Sequence, residues 1–260
     1  MSLRQSAVRL RGYVRQQVYK SPRLYTVTRI IRFALIVGPF RPLLIWCAQR
    51  LRHNVTVPVA ETSFFSDFDP VQATQILERD GYAPGLMLPA VQADEIVRHF
   101  AEMKTKNLNP HEDCDLVDKI FKDPKLVEAA REYLGVEPIL LQTRWWRTPA
   151  GEQNEHSSRF HFDVCDAKSM AVFFYLTDVR PDGAAHVVIK GTHARKSFAE
   201  IRRIYLTENE ALQKYGPQID VIVGLKGTGF LEEQTIYHKV LTGSEDRIII
   251  AFLYSMSRTA

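Results

Sequence analysis

Acidic residues are absent from the first 60 positions of this chain, where 11 Lys or Arg stand, ten of them Arg. The other 200 residues carry 23 basic and 30 acidic groups, so the formal net charge of +4 is a +11 segment followed by a −7 segment. Cysteine is scarce: Cys47, Cys114 and Cys165 are odd in number, far apart and without CxxC spacing, which excludes a disulfide framework or a zinc knuckle and favours a reducing, cytoplasmic setting. Long apolar runs are missing too. The two best, Ile30 to Val37 and Leu43 to Ala48, are separated by Gly38-Pro39 and Arg41-Pro42, and each falls short of the roughly 18 to 20 residues that span a bilayer. The chain has no internal repeat, low-complexity tract or heptad pattern. The C-terminal Ser257-Arg258-Thr259-Ala260 is not an SKL-type peroxisomal address. Nucleic acid is not an expected partner.

What is present is enough apolar residue for one sizeable core: 45% of 260 residues are hydrophobic and 25% charged. We divide the chain into a basic helical N-terminal arm, 1–58, and a catalytic-type domain, 59–260. Three readings of the arm stand open: a helical pair packed on the outside of the domain, a basic amphipathic surface that touches anionic lipid or a polyanion through Phe33 and Trp46, and an acid-poor organelle presequence.

Chemistry concentrates at Arg159-Phe160-His161-Phe162-Asp163. Residues two apart on a strand point the same way, so His161 and Asp163 can present an imidazole and a carboxylate to one metal ion. The pair alone is a weak signal, since a chain of this composition carries an HxD by chance about 0.4 times. Its context is stronger. Met170 to Leu176 follows as a buried strand of β-branched and aromatic residues. His238 comes after a strand entered through Gly227 and Gly229, and precedes a turn at Thr242-Gly243-Ser244. Two histidines and one carboxylate leave three positions open, the donor set of Fe(II) oxygenases. Beyond the turn, Arg247, Ile249, Ala251 and Leu253 share one strand face, and an arginine there needs an anionic partner. Its planar fork suits the distal carboxylate of a dicarboxylate cosubstrate.

At roughly residues 75 to 255 the sequence resembles the phytanoyl-CoA dioxygenase family of Fe(II)- and 2-oxoglutarate-dependent oxygenases. Arg79-Asp80-Gly81-Tyr82, then Leu88-Pro89-Ala90-Val91 and Ala93-Asp94-Glu95-Ile96, is similar to the family's opening segment. Gly183 and Val187 to His193 resemble its "G, V, PGSH" segment, with Lys190 where the family usually has proline, and His238 and Arg247 keep the family's spacing. The resemblance implies an α+β fold built on a double-stranded β-helix, a cupin-like jelly roll with flanking helices and a metal site at its mouth. It implies Fe(II) held by His161, Asp163 and His238, 2-oxoglutarate anchored by Arg247 with contacts from Gln142 and Phe174, and dioxygen as co-reactant. It further implies hydroxylation of a C–H bond in a small molecule, lipid or carbohydrate, releasing succinate and carbon dioxide. The carboxylate of Asp163 disfavours halogenation. Two other classes remain: a catalytically silent jelly-roll binding protein, and a membrane-surface or polyanion-binding module in which the arm is the functional part.

The intervening chain reads as punctuated helices and then strands. Asn54 to Phe68 is a linker. Asp69-Pro70 and Asp123-Pro124 each pair an N-cap with proline at the first helical position, and Gly135 closes the second helix. From Ile139 strands dominate, interrupted by a charged helical insert at Ser197 to Tyr215. His156 and Lys168 are expected in solvated loops, and His193 in a structural turn.

Overall fold

The computed structural model describes residues 22–50, 57–104, 106–194 and 196–257; residues 1–21 and 51–56 of the arm lie outside the described residues. The arm's described part is a pair of helices, α1 (Pro22–Val37) and α2 (Arg41–Arg50). Four more helices, α3 (Pro70–Asp80), α4 (Ala90–His99), α5 (Asp115–Phe121) and α6 (Pro124–Leu134), surround two short strands, β1 (Tyr82–Met87) and β2 (Lys106–Leu108). The strand-rich half contains β3 (Ile139–Thr148), β4 (Ser169–Tyr175), β5 (His186–Ile189), β6 (Ile219–Ile222), β7 (Thr228–Glu232), β8 (Tyr237–Val240) and β9 (Arg247–Ser255), with α7 (Phe198–Arg203) and α8 (Glu208–Tyr215) inserted between β5 and β6.

Both expected caps form as their chemistry requires. Asp69 accepts hydrogen bonds from the Val71 and Gln72 amides, and Asp123 accepts one from Lys125. Gly135 closes α6 at φ 68°, a left-handed conformation that a side chain resists. Gly227, at φ 95°, opens β7; a Cβ there would stand 2.1 Å from the Leu88 carbonyl oxygen, so only glycine fits. The segment read as a linker contributes Val57, Phe65 and Phe68 to the main core.

The strands form two antiparallel sheets, β1-β7-β4-β9-β3-β2 and β6-β5-β8. An isolated bridge between His161 and His238 extends the smaller sheet by one more segment of chain. Counted from β3, with that segment second, strands one, three, six and eight lie in the large sheet and two, four, five and seven in the small one. This alternation is the double Greek key of a jelly roll. His161 and Asp163 are not on a continuous strand as the spacing predicts; one backbone bridge at His161 and one amide bond from Asp163 to the Gln234 carbonyl hold them.

Strands β4 and β9 are buried along their whole length because both faces of the large sheet are covered. Met170, Val172, Phe174, Ile248, Ile250, Phe252 and Tyr254 pack under helices α3 to α6. The alternate residues Ala171, Phe173, Tyr175, Ile249, Ala251 and Leu253 fill the space between the sheets.

The arm's helices are packed on this scaffold. Phe33 meets the Phe162 ring at 6.0 Å, and Val37 is fully buried. Arg41 enters the core at the start of α2, where its guanidinium lies 3.2 Å from the fully buried Glu233 and donates to the Ala167 and His193 carbonyls. The Tyr133 hydroxyl donates to the same carboxylate at 2.7 Å. Removing one partner of such a pair leaves an uncompensated buried charge. Arg41→Ala is therefore expected to lower the unfolding free energy by about 3–5 kcal/mol in a denaturant titration, and adding Glu233→Gln should return part of that loss.

Candidate metal and anion site

The site is assembled by backbone pairing. The His161 amide donates to the His238 carbonyl at 3.0 Å and the His238 amide to the His161 carbonyl at 2.8 Å, which sets the two rings 4.3 Å apart. Each imidazole is oriented by a carbonyl two residues before it: His161 Nδ1 lies 2.8 Å from the Arg159 oxygen and His238 Nδ1 3.1 Å from that of Ile236. A carbonyl only accepts, so Nδ1 carries the hydrogen in both rings and Nε2 keeps its lone pair. This is how proteins present histidine to a metal. Burial pushes both imidazoles below the usual histidine range and so keeps them neutral, the form that binds an ion.

Ligand-type atoms of His161, Asp163 and His156 all lie within 4.8 Å of one another. His238 is outside that group, although its ring touches that of His161. His156 is exposed, as expected for a loop, but the loop is ordered. The Asn154 side chain accepts from the His156 and Ser157 amides, and the Val240 amide donates to the Ser157 carbonyl. His156 Nδ1 lies 2.7 Å from the Tyr205 hydroxyl, and the Arg159 guanidinium stacks on the Tyr205 ring at 4.5 Å.

Arg247 lies at the start of β9, opposite Thr148, on the face that lines the space between the sheets. It is almost wholly buried and, among the described residues, donates one hydrogen bond, from Nη2 to the Thr148 hydroxyl at 3.2 Å, while Nε and Nη1 are buried without a partner there. Desolvation lowers its pKa, and a delocalised guanidinium keeps its proton even when buried. Buried N–H donors with no acceptor are uncommon. Here two of them belong to one cation.

Gln142 lines a narrow cavity with Arg144, Trp146, Phe173, Gln234 and Leu253. Phe174, which the resemblance places at the cosubstrate, stacks on Phe65 at 5.4 Å under the helices, on the opposite side of the sheet from Arg247. The alternation of β4 turns Phe173 and Tyr175 inward and Phe174 outward, so the structure does not bring Phe174 to the site.

Two interior residues escaped the sequence reading. Glu232 ends β7 fully buried, 2.6 Å from His186 Nε2 and accepting from Gln234. Burial raises its carboxyl to about 7, and burial beside Arg247 pushes His186 down to about 3, so the pair is a shared hydrogen bond between weakly charged groups more than an ion pair. The available signal was a pair of acids, Glu232-Glu233, ending an apolar strand. Among the others, His193 is in a turn as expected, with Nε2 on the Glu78 carbonyl, and Lys168 is half-buried over the Tyr133 ring. Burial raises the Cys165 thiol to about 12, which leaves it an inert core group.

No family model matches the chain, and no curated protein matches it in sequence. Solved structures do share its fold. HygX from Streptomyces hygroscopicus, with nickel and 2-oxoglutarate bound, aligns with a TM-score of 0.57 at 12% identity over 71% of this chain and 86% of its own. EctD from S. alaskensis with bound Fe aligns at 0.53 and 15% identity, over 80% and 85%. The non-heme alpha ketoglutarate dependent epimerase SnoN from nogalamycin biosynthesis aligns at 0.53 and 14%, over 71% and 80%. At these identities the likeness establishes the fold.

An unpaired buried guanidinium costs stability in the ligand-free protein. Arg247→Met, similar in volume and apolar, should raise the unfolding free energy by about 1–3 kcal/mol in ligand-free thermal melts, whereas a structural Arg247 would make the same change destabilising.

Proposed function

We propose that this chain is an Fe(II)- and 2-oxoglutarate-dependent oxygenase that hydroxylates a small-molecule substrate, with His161, Asp163 and His238 holding the metal. The observation that carries the reading is the buried Arg247 with two donors unpartnered among the described residues, close enough to His186 to act on its charge, the His186 ring in turn stacking on that of His238. An anion such as the distal carboxylate of 2-oxoglutarate supplies the missing acceptors, with one oxygen for Nη1 and the other for Nη2 on the edge those two nitrogens share. The metal is supported by the donor set itself: two neutral imidazoles with Nε2 free and a half-buried carboxylate. The fold shared with structures that contain iron or nickel and 2-oxoglutarate adds to this.

Bound there, Fe(II) with 2-oxoglutarate would activate dioxygen, the cosubstrate leaving as succinate and carbon dioxide as a C–H bond is oxidised. The protein's share is binding and exclusion. The Arg159 and Ile236 carbonyls fix the imidazole tautomers, Asp163 offsets part of the metal charge, and Thr148 and Arg247 hold the far end of the cosubstrate. Gln142 and Arg144 are placed to give a polar group its orientation, and Trp146, Phe173 and Leu253 keep water out.

Anaerobic addition of Fe(II) and 2-oxoglutarate to the apoprotein should produce the visible charge-transfer absorption of the chelated cosubstrate. We expect His161→Ala to abolish the band and Arg247→Met to demand at least about thirtyfold more 2-oxoglutarate, the equivalent of about 2 kcal/mol for a lost buried charge pair. Absence of the band at saturation in the wild type would refute the oxygenase reading and favour a silent binding barrel.

A second reading concerns the arm. Among the described residues no single helix is long and apolar enough to cross a membrane; α1 and α2 pass that test only as a pair bent by 74°. Away from the barrel, α1 nevertheless carries Val27, Ile31 and Leu35, and the following turn and α2 carry Phe40, Leu43 and Trp46, each 43–57% exposed. The segment has no acidic residue, and Arg50 stacks on Trp46 at 3.8 Å. Apolar rows flanked by arginine alone suit the interface of an anionic bilayer, which fits a protein peripheral to a membrane. Vesicles of mixed phosphatidylglycerol and phosphatidylcholine should sediment the protein in low salt, those of phosphatidylcholine alone should not, and Leu43→Glu with Trp46→Glu should abolish the binding. Unchanged binding by that variant, or a self-dimer that the same variant dissolves, would take the lipid assignment away from this face.

A further inference from the structure

We propose that His156 is a fourth protein ligand of the metal in the resting protein, held for that task by Tyr205. The inference rests on the oxygenase reading above and adds to its donor set a residue from the exposed turn at 154–158.

Four observations converge on His156. Its imidazole is in ring contact with that of His161, centroids 4.2 Å apart, and it shares with His161 and Asp163 the 4.8 Å cluster of ligand-type atoms. Its Nδ1 lies 2.7 Å from the Tyr205 hydroxyl, whose oxygen can accept the Nδ1 hydrogen and so leave Nε2 with its lone pair for an ion. Tyr205 is itself fixed, with Arg159 stacked on its ring and the next residue, Leu206, bridged to Phe160. The turn that carries His156 is closed by Asn154, whose side chain accepts two amide hydrogens, and tied to β8 through Ser157 and Val240. A solvated histidine in an idle loop needs none of this support.

The consequence is a count of open positions. A six-coordinate ion held by His161, Asp163 and His238 would keep three, and His156 would fill one of them, leaving two for exogenous ligands. Any further exogenous ligand would compete with His156 for its place. Tyr205 acts as a positioning residue, because its hydroxyl sets the angle of the ring.

Cobalt(II) added to the full-length apoprotein tests this without turnover, since its visible d–d bands report the number and kind of ligands, and calorimetry gives the dissociation constant. Expected are tight binding in the wild type, none in His161→Ala, and in His156→Ala a changed band with a dissociation constant at least about tenfold higher. Tyr205→Phe keeps the ring packing and loses only the hydroxyl, so it should move band and affinity in the same direction by less; it keeps the test decisive should His156→Ala fold poorly. Wild-type band and affinity in both His156→Ala and Tyr205→Phe, with binding still abolished in His161→Ala, overturns the fourth ligand and leaves the oxygenase reading intact. No cobalt binding in the wild type, or binding indifferent to His161→Ala, overturns both.

Discussion

Two backbone hydrogen bonds, His161 to His238 and His238 to His161, join segments that lie 75 residues apart between Asp163 and His238. Everything at the candidate centre follows from that pairing. Antiparallel neighbours put side chains on the same side of the sheet, so the two imidazoles meet without any attraction between them. The pairing survives because the chain on each side is held elsewhere: Phe160 and Phe162 sit in the small-sheet core with Tyr237, and the Asp163 amide is tied to Gln234. Precision at the donors is thus inherited from the jelly roll, whose alternating strand order brings the second and seventh segments together.

Buried charge is resolved in three ways in the interior, by two pairs of ionisable groups and one single arginine. Arg41 and Glu233 neutralise each other, with carbonyls and the Tyr133 hydroxyl completing the cage. That pair is structural and ties α2 of the basic arm to the core. Glu232 and His186 surrender charge instead, as burial raises one pKa and lowers the other. Arg247 does neither. It stays cationic with two donors that no described residue satisfies. One physical term, the cost of removing charge from water, thereby sets the paired Arg41 apart from the unpaired Arg247.

Sequence patterns located the elements well where local chemistry decides them. The Asp-Pro caps of α3 and α6, the left-handed Gly135 and the inward row Arg247, Ile249, Ala251, Leu253 all stand where spacing put them. The resemblance misled at Phe174, and a strand buried on both faces offers no polar residue to correct it; the neighbours Phe173 and Tyr175 face inward instead. His156 is exposed as its polar surroundings suggested, but nothing in that neighbourhood foretells Tyr205, 49 positions away, as its partner. The helices of the arm looked separable by charge, yet Arg41 is buried in the core against an acid 192 residues later.

By itself the sequence determined which chemistry was on offer: an HxD, a later histidine, an arginine on an apolar strand face and an acid-free basic segment, all consequences of residue type and of the two-residue strand period. Only the tertiary structure decided which of those groups meet, which face the interior and which are left without a partner. Proximity between segments far apart in the chain comes from sheet order, and burial comes from what covers each face, and neither quantity is written in any local stretch of residues.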